Sequence, residues 1–137
     1  MRFLCSVTLL SLLIGCSSPP PSPVVRGKVM MDGQPLSSAQ VQLMPKDSPG
    51  GSTYTTVTKE DGTFEIRPTN AQDRPVAEGK YAVTVTKTGA PKGAKAGEMA
   101  TVVLTPAIYG DRTKTPLAIE VKTGSNELPT IELTSTK

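Results

Sequence analysis

The residue whose placement implies a covalent modification is Cys16. An apolar run ends at Leu13-Ile14, a small residue follows at Gly15, and the thiol comes next. A cysteine so placed, with a Ser/Pro-rich stretch directly behind it, reads as a lipid attachment site. The cysteine becomes the first residue of the processed chain and carries acyl chains such as palmitate. Other resources for chemistry are thin. The sequence contains no histidine, which removes Ser-His-Asp and Cys-His nucleophilic arrangements and the commonest zinc sites. No G-x-x-x-x-G-K-[ST] phosphate cradle occurs. The chain is therefore expected to be no enzyme, with no catalytic residues, no cofactor and no metal.

The remaining polar and aromatic candidates concern binding. Glu60 and Asp61 fall in a turn, where support of the backbone by Asp61 accounts for them. Calcium would require an oxygen-rich ligand run that does not accompany them. Residues 89–97 are rich in Gly, Ala, Pro and Lys and read as a solvated loop. Within it Lys92 and Lys95, with Lys87 just before, are candidates for touching an anionic surface or a partner. Tyr54, Tyr81 and Tyr109 read first as core or rim residues. If the protein stacks a sugar, Tyr54 and Tyr109 are the candidates.

The elements that position Cys16 come first in the chain. Arg2 gives a positive start, and residues 3–14 are a mostly apolar run of about 12 residues. That is short of the ~20 needed to cross a hydrocarbon core, so residues 1–15 read as an export signal rather than a membrane span. Leu13, Ile14, Gly15 and Cys16 resemble the bacterial lipobox. That resemblance implies a diacylglyceryl group on Cys16, cleavage just before it, and a home in the bacterial cell envelope. The location is then periplasmic or at an outer-membrane leaflet, and Ser17, where an aspartate would favour inner-membrane retention, leans toward the outer membrane. Two or more acyl chains, at about 0.8 kcal/mol per buried CH₂, anchor durably where one does not. Cys5 leaves with the leader, so Cys16 has no disulfide partner. Residues 16–23, Cys-Ser-Ser-Pro-Pro-Pro-Ser-Pro, read as the lipidated cysteine and an extended spacer of about 3 Å per residue.

Processing of the 137 residues leaves 122, one domain plus the spacer, and takes the formal charge from +3 to +2. A near-neutral exported chain gives no reason to expect nucleic acid. From Val24 the pattern has a period of two, with Val25, Gly27, Val29 and Met31 on one face. Asp32-Gly33 marks a turn. Val41 and Leu43 alternate with glutamines, and residues 45–52 form a loop. Residues 53–58 are β-branched, residues 59–62 turn, and Phe64 and Ile66 point inward. Tyr81, Val83 and Val85 form the cleanest alternation. Residues 101–104 read either as a short strand or as part of a long loop docking Ile108 and Tyr109, with the loop favoured. Leu117, Ile119 and Val121 follow, and Ile131 and Leu133 close the domain.

Seven short strands without an amphipathic helix predict an all-β fold, a single seven-stranded antiparallel β-sandwich. The expected inward set is Val29, Val41, Leu43, Phe64, Ile66, Tyr81, Val83, Val85, Leu117, Ile119, Val121, Ile131 and Leu133. On this reading Val83→Asp unfolds the domain and Thr84→Asp, on the outer face, barely matters.

Several stretches together carry a resemblance. They are Gly27-Lys28-Val29-Met30-Met31-Asp32-Gly33-Gln34-Pro35-Leu36 leading to Ala39-Gln40-Val41, then Lys59-Glu60-Asp61-Gly62-Thr63-Phe64, then Gly79-Lys80-Tyr81-Ala82-Val83-Thr84-Val85. Over residues 24–85 the chain resembles the carboxypeptidase regulatory-like domain, a transthyretin-like (prealbumin-like) sandwich, in the form found in small bacterial lipoproteins. Ile108-Tyr109-Gly110-Asp111 also resembles these lipoproteins. The resemblance implies the fold for residues 24–137 and offers no catalytic set. Related sandwiches bind protein or carbohydrate. The functional expectation is a non-catalytic, membrane-anchored interaction or structural module meeting an envelope protein; the alternative is a carbohydrate-binding module meeting an envelope polysaccharide. An enzyme with a carboxylate site ranks third.

Overall fold

The strand that organises the molecule is the first. Its alternation of Val25, Gly27 and Val29 with Arg26 and Lys28 gives one apolar and one charged face. The computed structural model describes residues 23–48, 50–67, 75–91, 93, 95 and 101–135. Along them the strands are β1 (Val24–Met31), β2 (Gln34–Pro35), β3 (Gln40–Pro45), β4 (Tyr54–Val57), β5 (Thr63–Ile66), β6 (Gly79–Thr86), β7 (Thr88–Gly89), β8 (Val102–Val103), β9 (Ala118–Val121), β10 (Ser125–Glu127) and β11 (Ile131–Leu133). A single helical turn, α1 (Ala107–Gly110), lies between β8 and β9.

Two sheets form the sandwich. In the first, β1 is flanked on one side by antiparallel β5 and β2 and on the other by parallel β10 and β11. The second is antiparallel throughout, in the order β4-β3-β6-β9. A separate two-stranded ribbon pairs β7 with β8. The all-β sandwich expected from the sequence is thus present, with two refinements. The strands beyond the expected seven are β2, β7, β8 and β10, each of two or three residues, too short to show a period. The pairings of β1 with β10 and β11 are parallel, because alternation specifies a face and not a direction. Between β10 and β11 the ladder breaks at Pro129, which has no N–H to donate, while the Leu128 N–H still reaches the Arg26 carbonyl at 2.8 Å.

The core joins the inner faces of both sheets. Val25, Val29, Phe64, Ile66, Ile131 and Leu133 meet Val41, Leu43, Tyr81, Val83, Val85 and Val121. Each buried aliphatic contributes roughly 1.5–3 kcal/mol. Gly27 occupies an inward position of β1 because the Phe64 ring lies across it. A Cβ there would stand 2.7 Å from the ring. Leu36, Ala39, Val76 and Tyr109 also join the core, although they lie outside the main strands. Leu117 and Ile119 depart from expectation and are half-buried, since β9 is the edge of its sheet. Thr84 departs more sharply: it is 3% exposed. Gln42 stands directly opposite it on β3, and α1 packs against β6, so a small side chain on that outer face is shaded.

Turns follow their residues. Asp32 (φ 50) and Gly33 (φ 78) make the two-residue hairpin turn that Asp-Gly favours. Gly62 (φ 78) carries the second turn, and a Cβ there would overlap the Val29 carbonyl oxygen. The buried Thr58 hydroxyl pins the connection before β3. It donates to the Leu36 carbonyl at 2.6 Å and accepts the Ala39 N–H at 2.9 Å.

The sandwich has two distinct poles. At the N-terminal pole the chain arrives at Val24, whose N–H donates to the Gly124 carbonyl at 3.1 Å. The Thr123 hydroxyl bonds the Glu78 carboxylate there, tying the start of β6 to the same end. At the other pole β1 and β11 finish together, with the Asp32 N–H on the Leu133 carbonyl at 2.9 Å. The ribbon and α1 follow β6 out of that second pole, the ribbon pole.

Candidate functional site

Two features stand out, one at each pole. At the N-terminal pole β3 and β6 place Pro45 opposite Tyr81, and β3 and β4 place Leu43 opposite Tyr54. This register brings the Tyr54 and Tyr81 rings to a centroid separation of 6.1 Å at 65°, an edge-to-face pair. Both hydroxyls are turned away from solvent chemistry and onto the chain before β6. Tyr54 Oη donates to the Pro75 carbonyl and Tyr81 Oη to the Ala77 carbonyl, each at 2.8 Å. Burial, and then the neighbouring Tyr54, push the Tyr81 phenol up. The rings floor a cleft of about 430 Å³ whose walls include Pro45, Gly51 and Pro75 and whose lips carry Asp47, Ser48, Ser52, Glu78 and Lys80. Gly51 is tight against Pro45: an added Cβ would stand 2.7 Å from the proline ring. The Lys46 N–H donates to the Lys80 carbonyl at 2.9 Å and holds the lips together.

At the ribbon pole β7 and β8 leave the sandwich as a short hairpin. Its base is pinned where Lys87 gives its N–H to Thr105 Oγ1 at 3.2 Å and accepts the Leu104 N–H at 2.7 Å. From that base into β8, Leu104, Val103 and Val102 are 41%, 59% and 40% exposed, three consecutive apolar residues reaching water. Lys95 belongs to the connection joining β7 to β8 and lies on the surface. Residues 101–104 thus combine both sequence readings: a two-residue strand, followed by α1, which docks Ile108 and Tyr109 on the core.

The charged face of the first sheet carries a ladder. Register places Glu65, Arg26 and Glu127 abreast. The Arg26 guanidinium lies 3.3 Å from Glu65 and 3.5 Å from Glu127, and Arg67 also pairs with Glu65. Desolvation works against the charged Glu65 carboxylate, yet hydrogen bonds from Arg26 and Arg67 outweigh it and hold it below the usual carboxylate range. Exposed pairs of this kind contribute little each. Three aspartates serve turns. The Thr63 hydroxyl and N–H both donate to Asp61 Oδ1, at 2.6 and 2.9 Å. The same arrangement recurs where Thr113 donates to Asp111 at 2.6 and 2.8 Å. Asp32 accepts the Ser135 N–H at 3.0 Å. Hydrogen bonds from Thr63, Thr113 and Ser135 hold these three carboxylates below the ordinary aspartate range.

The sequence candidates distribute as follows. Leu13, Ile14, Gly15, Cys16 and Lys92 lie outside the described residues. Tyr54 lines the cleft and is half-buried. Tyr109 is 5% exposed, and its hydroxyl lies 3.3 Å from Thr134 Oγ1, so its ring is part of the core rather than a surface platform. The structure does not bring Tyr54 and Tyr109 together. The partner of Tyr54 is Tyr81, and cross-strand register was the missing information. The sequence reading of residues 101–104 as strand or loop does not include the exposure of Val102, Val103 and Leu104, although three apolar residues in succession without alternation are a signal for it. Among the described residues no group of three or more His, Cys, Asp or Glu side chains is placed to hold a metal ion. No helix there is long and apolar enough to cross a membrane.

No family model matches the sequence, and no curated protein matches it significantly. Among the solved structures similar to this chain at a low level are two of bacterial proteins. One is a DUF3823 family protein from Parabacteroides merdae, 18% identical with a TM-score of 0.46, over 84% of this chain and 47% of that one. The other is a 9R-lipoxygenase from Cyanothece, 14% identical with a TM-score of 0.43, over 93% of this chain and 18% of that one. The chain spans about half the length of the first and under a fifth of the second.

Proposed function

We propose that this chain is a lipid-anchored β-sandwich of the bacterial cell envelope, of the carboxypeptidase regulatory-like, transthyretin-like type, that works by docking an envelope protein and not by catalysis. The anchor reading rests on Leu13-Ile14-Gly15-Cys16 at the end of a short apolar run. The docking reading rests on one observation: Val102, Val103 and Leu104 stand 40–59% exposed on a ribbon that projects from the sandwich. Along an extended strand Val102 and Leu104 take one face and Val103 the other, so both faces of the ribbon carry exposed apolar side chains, and apolar surface left in water marks interaction sites. A ribbon with an open edge also accepts an added strand from a partner, whose backbone supplies the hydrogen bonds and whose side chains meet the valines.

Two measurements test this. Fractionation of cells should place the wild-type chain with membranes and the Cys16→Ser chain with soluble protein; a soluble wild type removes the anchor. A photocrosslinking residue at Val103 in intact cells should give one recurrent protein adduct that a crosslinker at Glu120, exposed on β9 at the N-terminal pole, does not give. The adduct should disappear in a Val102→Ser, Leu104→Ser background, whose folding free energy stays within about 0.5 kcal/mol of the parent because the sites are on the surface. Equal adducts from both positions would end the docking reading while leaving the anchor intact.

A further inference from the structure

We infer that the tyrosine cleft at the N-terminal pole is a binding site for a short neutral saccharide, separate from the ribbon. It rests on the cleft alone and stands whether or not Cys16 is acylated or the ribbon meets a protein. The first ground is preorganisation. Tyr54 and Tyr81 are held edge-to-face at 6.1 Å, with each hydroxyl fixed on a backbone carbonyl at 2.8 Å. Those bonds fix the tip of each side chain and so the position of its ring axis, which leaves little ordering cost for a ligand to meet. Their polar atoms are already used, and what Tyr54 offers the cleft is its ring.

The second ground is the chemistry of the lips. Asp47 and Glu78 accept hydrogen bonds, Lys80 donates them, and the Ser48 and Ser52 hydroxyls do either. Lips of both signs disfavour a ligand of strong charge. They suit a molecule carrying many donors and acceptors around an apolar face. A pyranose ring fits that description: its axial C–H bonds pack on the negative face of an aromatic ring while its hydroxyls reach the rim. The cleft volume of about 430 Å³ falls within the range of small-ligand sites, about 300–1,000 Å³.

The chain has no tryptophan and three tyrosines, two of which line the cleft, so a ligand-dependent change in tyrosine emission reports chiefly on the cleft. The full chain, in a detergent without a sugar headgroup, is titrated with cellotetraose and with chitotetraose. A saturable change in tyrosine emission with at least one of them is expected, together with its loss in Tyr54→Ala. Because Tyr54→Ala removes core area as well, Asp47→Ala and Ser52→Ala provide the second readout. Both are on the lip, both should leave the melting temperature unchanged, and each should weaken binding by about 3- to 10-fold. Tyr54→Phe, which keeps the ring, should retain binding. No saturable change with either oligosaccharide up to about 10 mM, or binding that the Asp47→Ala and Ser52→Ala variants leave untouched, would overturn the assignment. A response to a proline-rich peptide with none to the sugars would overturn it too.

Discussion

Gly27 shows how a single absent side chain organises a neighbour. It sits on the apolar face of β1, where a valine would suit the alternation, and the Phe64 ring fills the space instead. Gly27→Ala should therefore destabilise by about 1–3 kcal/mol, the usual cost of overpacking, measured by denaturant unfolding. If the clash with Phe64 is the cause, Phe64→Leu should cost less in the Gly27→Ala background than alone, because the smaller side chain relieves the overlap. Additive costs would show that the loss comes from elsewhere in the strand.

The turn aspartates make a different prediction at the same scale. Asp32, Asp61 and Asp111 are held below the ordinary aspartate range, chiefly by hydrogen bonds from Ser135, Thr63 and Thr113 respectively. A carboxyl that binds its proton less readily when folded adds stability that is fully present above its unfolded pKa, about 3.9. That stability is lost as pH falls through the lower folded value. The melting temperature should thus be nearly flat from pH 7 to about 5 and fall below about pH 4. Asp111→Asn keeps an acceptor oxygen for Thr113 but cannot titrate, so its acid limb should be shallower than the parent's. An identical limb would mean that Asp111 contributes nothing to the linkage.

At the scale of elements, β6 separates what alternation conveys from what it cannot. Tyr81, Val83 and Val85 point inward as their spacing requires, and all are buried. Thr84 reads as an outer-face residue, which it is, and the inference that outer means exposed fails. Exposure depends on what packs around the strand, and neither the pairing of β6 with β3 nor the packing of α1 against it is written in its own residues. Val83→Asp and Thr84→Asp should therefore both destabilise, the second by at least about 2 kcal/mol because an unpaired carboxylate would be desolvated there. A change within about 0.5 kcal/mol for Thr84→Asp would restore the reading of that face as open. The same limit explains the other departures. The Asp-Gly turn at Asp32-Gly33 was legible because its chemistry is local. The pairing of Tyr54 with Tyr81, the parallel run of β10 and β11 beside β1, and the burial of Tyr109 against Thr134 join positions about 25 to 100 residues apart, and no periodicity records them. Of the candidate sites, the sequence could supply Tyr54 as a half-exposed aromatic but not the cleft that gives it a use.

For the whole molecule, the separation of the poles turns the anchor proposal into a statement about orientation. The chain arrives at Val24 on the N-terminal pole, the pole that holds the tyrosine cleft, while the ribbon leaves from the other end. The strand β1 alone, eight residues at about 3.3 Å each, separates the two ends by roughly 25 Å. If Cys16 is in the bilayer, the spacer of residues 17–23 allows a stand-off of about 20 Å at most when extended. The cleft then faces the membrane at short range, and Val102, Val103 and Leu104 face away from it. A fluorophore on an introduced cysteine can measure this, since on the anchor proposal Cys5 leaves with the leader and an acylated Cys16 has no free thiol. In vesicles carrying a headgroup quencher, a label at Ser48, on the cleft lip, should be quenched more strongly than one at Val103 on the ribbon. Lengthening the spacer with further Ser-Pro units should reduce the Ser48 signal toward that of Val103. Equal quenching at the native length, or stronger quenching at Val103, would mean that the sandwich lies on its side or inverted. The ribbon would then be a membrane contact and not a surface offered to a partner across the envelope.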